Sequence, residues 1–510
     1  MPRALIALTA LAAALRLPTL GSQSLWLDET LTGGLARGSL GDLFRHLAEQ
    51  EANPPLFSLL EWVWTRVAGT SEVALRLPSA LFGIALVPVA FAIGRRLGGG
   101  RAAIALGALV AVHPLLVYYS QEARGYAAVA LACAIGFGCF LDALEGKPAI
   151  WWALASAVAL GCHYFAIFPV AIEAAILLAR RRRAALPALG GVALAGAALL
   201  PLLARQIGGD HTDNVTGGTG LAERVKGAAT SWLVGERGAA IDNLEWLIGA
   251  LLLASVVLVV VHRRREAILP AVVGGGAAAL IGLAALGGAD YLNNRNTLPV
   301  LTIALAVPAL GFAAGRAGAV LGAAAGVALA VATVGALTDP AHAREDWRDT
   351  ARDLGTAQAV IVAPPYADVP LRWYRPALAP APPQGVEVTE LAVVLSDPDR
   401  NPLPPNALDQ APVPGFAPAG TQRHDRMLIA RYRAPQPQPV RPDAVNAWAR
   451  ARLDAGRGAG GATLLAVPEA RDTTLRRRRA AVHSEAGGSF SGIPGSGASS
   501  SGISAGGPSG

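Results

Sequence analysis

Asp28 and Glu29 stand side by side in Leu25-Trp26-Leu27-Asp28-Glu29, shortly after an apolar stretch. Carboxylates at the edge of a bilayer are costly unless they are solvated or paired. There they suit a general base, or a metal- or phosphate-linked site. The plainer reading is a hydrated loop with Trp26 as an interface anchor. The same polar region continues to Glu51-Ala52-Asn53-Pro54-Pro55-Leu56-Phe57, whose two prolines fix a rigid turn into a helix. Further on, Ser120-Gln121-Glu122-Ala123-Arg124-Gly125-Tyr126 is the most polar stretch between two strongly apolar ones. Glu122 and Arg124 either pair with each other or with headgroups, and the fork of Arg124 also matches a phosphate ester. His163, in Gly161-Cys162-His163-Tyr164-Phe165, is a lone histidine among aromatics and reads first as a structural residue. Arg295, in Leu292-Asn293-Asn294-Arg295-Asn296, draws attention because of the face on which it falls.

That face follows from the elements between these residues. The chain is 510 residues long, 53% hydrophobic and only 15% charged, too apolar for an ordinary soluble fold. Its 58 glycines suit membrane helices, where small residues allow close approach. With Arg95, Arg96 and Arg101, Arg180 to Arg183, Arg263 to Arg265 and Arg316 placed inside, spans are expected at 4–20, 77–94, 102–118, 126–143, 149–164, 166–179, 186–204, 244–262, 268–287, 297–314 and 317–338. About eleven helices result, N-terminus in and C-terminus out. The first is read as a retained helix, because no small-x-small cleavage site precedes Arg16. The opposite face then collects 21–76, 119–125, the region of His163, 205–243 and 288–296, so Arg295 lies outside, against the positive-inside trend. The net charge of +7 is explained by the inner clusters, and no nucleic-acid partner is expected. Cys133, Cys139 and Cys162 lie in or beside apolar segments and read as packing residues.

Residues 1–338 thus read as a membrane module, with its first outer loop at 21–76. Residues 339–455 carry proline, charge and strand-like runs at 359–363, 386–394 and 427–432, and are expected to form a small α/β domain outside the membrane. Residues 456–510 read as a linker and a disordered Gly/Ser-rich tail, from about 486 onward.

Together the outer loops resemble the bacterial family-39 glycosyltransferases, relatives of the protein O-mannosyltransferases and the lipid A aminoarabinose transferases. Arg16-Leu17 with Gly21-Ser22-Gln23-Ser24-Leu25-Trp26-Leu27-Asp28-Glu29 is similar to their first-loop signature. Asn53-Pro54-Pro55-Leu56, the run from Ser120 to Tyr126 and His163-Tyr164-Phe165 follow in the family's order. Arg295-Asn296 with Leu298-Pro299 resembles the family's Arg-Tyr and Pro entry to a late helix, with Asn296 as the departure, and Arg344-Glu345-Asp346-Trp347-Arg348 resembles the Asp-Trp-Arg stretch after the last span. The resemblance covers roughly residues 10–375 and implies the GT-C fold, with an outer-face active site. It implies an inverting enzyme that moves a sugar from a polyprenyl-phosphate donor to a hydroxyl of a glycan, lipid or protein, in the bacterial cytoplasmic membrane with its site toward the periplasm. By the same resemblance, Asp28 is the general base, and Arg124 and Arg295 neutralise the leaving phosphate. Glu29 and Glu122 orient the acceptor or these arginines, and Tyr126, Asn53 and His163 contact substrate. Asn53 and His163 also occupy positions where some relatives hold a divalent metal.

Two other readings remain in view. A transporter or flippase of a lipid-linked or polar solute should carry polar residues inside its spans, yet Glu173 is one of few. A catalytically inactive scaffold should have eroded loops, whereas Asp28, Glu29, Glu122 and Arg124 are present.

Overall fold

The computed structural model describes residues 1–49, 51–207, 220–236, 238, 241–287, 292–339, 343–396, 403–404, 406–424, 426–453 and 461–468. The tail expected to be disordered lies outside these residues. The membrane module begins with α1 (Pro2–Arg16), followed by three helices of the loop at 21–76, α2 (Leu27–Arg37), α3 (Leu40–Glu49) and α4 (Leu56–Ala68). Then come α5 (Glu72–Val112), α6 (Pro114–Ser120), α7 (Tyr126–Leu144), α8 (Ile150–Cys162), α9 (Ile167–Arg181), α10 (Leu186–Ile207) and α11 (Leu221–Val234). The last membrane helices are α12 (Leu244–His262), α13 (Arg264–Leu286), α14 (Leu298–Phe312) and α15 (Gly315–Thr338).

Seven helical stretches among the described residues are long and apolar enough to cross a bilayer, and α8 is a shorter apolar helix. Two of the seven, 72–112 and 164–207, each carry a pair of the expected spans. In the first, the chain reverses at Gly99, which has φ 77°. Gly94 then packs directly on returning backbone, and a Cβ there would stand 2.5 Å from the Ala102 carbonyl oxygen. Only glycine serves both demands. In the second, helicity breaks at Arg182, within the predicted arginine cluster. α1 ends at Arg16, earlier than the expected 20, because Pro18 lacks the amide to continue it. Glu173, the charged residue expected inside a span, is buried and accepts a 2.7 Å bond from the Trp152 indole. Its cost in an apolar setting is thereby reduced.

Beyond the bundle, α16 (Trp347–Asp353) and α17 (Asp368–Tyr374) precede and flank a six-stranded sheet, and α18 (Pro442–Arg452) follows most of it. The strands are β1 (Ala359–Ala363), β2 (Ala379–Pro380), β3 (Val386–Ser396), β4 (Ala417–His424), β5 (Met427–Val440) and β6 (Thr463–Ala466), in the order β2-β6-β1-β3-β5-β4. β1 and β3 run parallel, and the other pairings are antiparallel. Ala359, Ile361 and Ala363 face a core shared with Val445 and Ala449 of α18, while Val360 and Val362 face Trp347, Leu354 and Leu371 on the other side. This is the period-two alternation of a sheet covered on both faces. β6 corrects the expected domain end at 455: four residues of the segment read as linker pair with β1, and two of them also with β2. A run that short carries no readable periodicity.

Candidate active site

The first outer loop is helical because α2 starts where the sequence places its two carboxylates. Asp28 and Glu29 fall in its first turn, where the helix dipole favours anions. Glu29 Oε2 also accepts the Trp26 amide at 3.4 Å, one half of a capping box. From there the two side chains part.

Glu29 turns inward and is fully buried. Arg76, in the first turns of α5, grips it with Nε to Oε1 at 2.7 Å and Nη2 to Oε2 at 2.6 Å. Arg344 adds a bond of 3.0 Å and the Ala123 amide another of 3.0 Å. Arg76 donates its remaining protons to the Leu20, Gln23 and Ser24 carbonyls at 2.7 to 2.9 Å. Burial alone would push the Glu29 carboxyl up, but Arg76 and Arg344 outweigh it and hold the group below its ordinary value. Glu122 is equally buried and takes one bond from Arg344, 3.2 Å to Oε2, while its Oε1 has no partner among the described residues. Burial pushes its carboxyl up to about 8 against the pull of Arg344, so its neutral form prevails at pH 7.

Asp28 turns the other way, toward the head of α14. Arg295 Nη1 donates to its Oδ2 at 2.8 Å, with the two side chains 26% and 18% exposed. The turn that carries Arg295 is pinned on both sides. Asn294 and the Tyr119 hydroxyl both donate to Glu236 Oε2, at 3.3 and 2.8 Å, and the Trp232 indole donates to Thr297 at 2.6 Å. Tyr126 stands edge-on to Tyr119 with ring centroids 5.0 Å apart, and the His163 ring lies 5.7 Å beyond.

Arg124 is bound on the protein side. Its Nη1 and Nη2 fork onto Glu51 at 2.6 and 3.0 Å, and Nη1 reaches Thr32 at 3.3 Å. Burial pushes the Glu51 carboxyl up, and Arg124 reverses this to leave it below its ordinary value. Asn53 turns its amide nitrogen to Glu51 at 3.3 Å, and its backbone carbonyl accepts from Gln206 at 3.1 Å. His163 Nδ1 accepts the Phe165 amide at 3.2 Å.

The metal expectation fits poorly with these partners. Asn53 presents a donor nitrogen to an acid already held by arginine. Among the described residues no three His, Cys, Asp or Glu side chains gather closely enough to hold an ion. No chemical step is therefore routed through a metal.

The sequence-predicted residues thus divide. Asp28 and Arg295 are partly open, Tyr126 and His163 are buried close by, and Glu29 and Glu122 lie in a sealed ion cluster. Arg124 and Asn53 converge on Glu51. Sequence reasoning passed over Arg76 and Glu61, and quoted Glu51 and Arg344 without giving either a role. Glu61 on α4 is fully buried, and neither carboxylate oxygen has a partner among the described residues. Burial, with Glu29 adding to it, pushes it up to about 8. The available signal was that Glu61 and Arg76 are ionisable residues in otherwise apolar surroundings.

The helix bundle with its carboxylate-bearing first loop and trailing sheet defines a multi-span membrane protein of the GT-C fold. It resembles the structure of ArnT from Cupriavidus metallidurans bound to undecaprenyl phosphate, with a TM-score of 0.51 at 13% identity over 84% of this chain and 97% of that one. The Archaeoglobus fulgidus oligosaccharyltransferase in complex with Zn and sulfate superposes more loosely, with a TM-score of 0.43 at 13% identity over 69% of this chain and 55% of that one. Residues 52–204 match the dolichyl-phosphate-mannose-protein mannosyltransferase family. No curated protein matches the chain in sequence. The resemblance read from the loops thus recurs in the family match over residues 52–204 and in a fold similar to that of ArnT.

Proposed function

We propose that the protein is an inverting glycosyltransferase that moves a sugar from a polyprenyl-phosphate donor to an acceptor hydroxyl, at the outer face of the cytoplasmic membrane. The observation that carries this reading is the Asp28–Arg295 pair, an acid and a base 2.8 Å apart and both partly open. The neighbouring carboxylates are closed off. A polyprenyl donor lies in the bilayer with its phosphosugar at the interface, and the topology read from the arginine clusters puts Asp28 and Arg295 at that level.

In the transfer the acceptor oxygen attacks the anomeric carbon as the bond to the phosphate oxygen breaks. Asp28 takes the acceptor proton, and Arg295 neutralises the charge that grows on the departing phosphate. Arg124, held by Glu51, adds positive potential behind the same region rather than an open fork. Tyr126 and His163, buried beside this pair, form the aromatic backing of the site.

The test is transfer of radiolabelled sugar from a panel of synthetic polyprenyl-phosphate sugars to a membrane extract, by purified protein in lipid. Label should move with the wild type and not with Asp28→Asn. Consumption of no donor, or full transfer by Asp28→Asn, would overturn the reading.

A further inference from the structure

The domain after the last span has no role in the reaction just described, yet it meets the chain around Asp28 almost residue by residue. Ser24 Oγ donates to the Glu345 carbonyl at 2.8 Å and accepts the Trp347 amide at 3.0 Å. The Leu25 amide donates to the Tyr374 hydroxyl at 2.6 Å. The Arg344 guanidinium lies 5.9 Å from the centre of the Trp26 ring and 4.8 Å from that of Tyr118. Its two Nη atoms bond Glu29 and Glu122, at 3.0 and 3.2 Å. Further along α2, Trp373 presses so closely on Gly33 that a Cβ there would stand 2.6 Å from the ring. Arg37 stacks on the same ring at 3.5 Å. Residues 24, 25, 26 and 29 are thus held from the C-terminal side, while the side chain of Asp28 faces Arg295 instead.

We propose that Arg344 is a positioning residue for the transfer reaction, fixing the first turn of α2 so that Asp28 is aimed at the acceptor. On this view the C-terminal domain acts as a clamp on the base rather than as a substrate-binding module. The inference rests on the reading of Asp28 as the base. Three features support it. Arg344 touches two carboxylates on different elements, a task for a planar fork that lysine's single ammonium fails to reproduce. Glu29, its main partner, is covalently adjacent to Asp28. The bonds to the Ser24 hydroxyl and from the Leu25 amide reach the same domain, so the segment is held at several points. A base displaced by about 1 Å loses on the order of a hundredfold in rate.

The test uses the full chain in lipid, with Arg344→Lys, Tyr374→Phe, Ser24→Ala and Asp28→Asn compared on the polyprenyl-phosphate sugar that the wild type consumes. For Arg344→Lys, kcat should fall about ten- to a hundredfold while the donor KM stays within about twofold. Tyr374→Phe and Ser24→Ala should show the same split, at several-fold. Hydrogen exchange should quicken at residues 24–30 in Arg344→Lys but not at 77–90. Wild-type kcat in all three clamp variants, with Asp28→Asn inactive, would overturn the clamp and leave the base intact. A rise in donor KM at unchanged kcat would also overturn it, by assigning Arg344 to donor binding. If Asp28→Asn keeps full activity, it is the reading of the base that fails. Should Arg344→Lys fail to fold, the two milder variants decide by the same kcat and KM split.

Discussion

Asp28 and Glu29 are neighbours of the same charge in one helical turn, yet their surroundings differ in every respect that matters for reactivity. Glu29 has no exposed surface and collects bonds from Arg76, Arg344 and the Ala123 amide. Asp28 keeps part of its surface and has one bond, to Arg295. A carboxylate with all its lone pairs engaged cannot take a proton from a substrate. One with a single partner can exchange that partner for another. Adjacent acids in a loop thus serve two ends: one binds the loop to the bundle, and the other is left available.

The largest effect should come from breaking the sealed half. Glu29→Gln leaves Arg76 and Arg344 buried without a full counter-charge, and losing one member of a buried pair costs about 3–5 kcal/mol. Purified in detergent, this variant should unfold or aggregate well below the wild-type transition, and a normal melting curve would contradict the role given to the network. Asp28→Asn should do the opposite. Its melting curve should stay close to wild type, since a part-exposed pair contributes only about 0–1 kcal/mol, while transfer should fall about a hundredfold or more. If both variants lose stability equally, the distinction between the two residues disappears.

Much of this arrangement was legible in the sequence, and its limits have physical causes. Long apolar runs punctuated by arginines gave the helices, because span length and charge placement are both set by the bilayer. β1 and the first half of β5 were visible as the runs at 359–363 and 427–432, although β5 continues to Val440. Helices α2 and α3 lay hidden in a loop read for its motifs, whereas the two prolines before Leu56 pointed to α4. Pairing was hidden as well. Arg76 lies 47 residues from Glu29, and Arg344 lies 315 away. Nothing in local spacing marks such partners, and Arg76 sat at the edge of a predicted span where its charge had no assigned use. Arg124 and Glu122, only two residues apart, were offered to each other or to headgroups. The fold instead sends Arg124 to Glu51 and leaves Glu122 to Arg344.

The comparison extends to Arg295 and Arg124. Among the described residues Arg295 has a single side-chain bond to exchange, whereas both Nη atoms of Arg124 are bound to Glu51. Replacing Arg295 by lysine should therefore weaken transfer about tenfold or more, chiefly in kcat, as a phosphate-facing donor is lost in the transition state. Arg124→Lys should cost less in catalysis and more in stability, because it breaks a fork. Steady-state kinetics beside melting curves would separate the two, and equal kinetic losses would place both arginines on the donor phosphate.

The smallest expected effect is at Glu61, which shares the burial of Glu29 but has no arginine against it. Burial pushes its carboxyl from an ordinary 4.5 up to about 8, so the folded protein holds a proton there that the unfolded chain releases near 4.5. The stability linked to this group is fully present below about pH 4.5 and is lost as pH rises through about 8. Glu122 behaves in the same direction, since burial also places it at about 8. Glu61→Gln, nearly the same shape as the neutral acid, should change stability at pH 5 by under about 1.5 kcal/mol. Between pH 6 and 9 the wild type should lose melting temperature faster than the variant. Parallel curves would mean that Glu61 is ionised in the folded protein, and hence that it has a partner as Glu29 does.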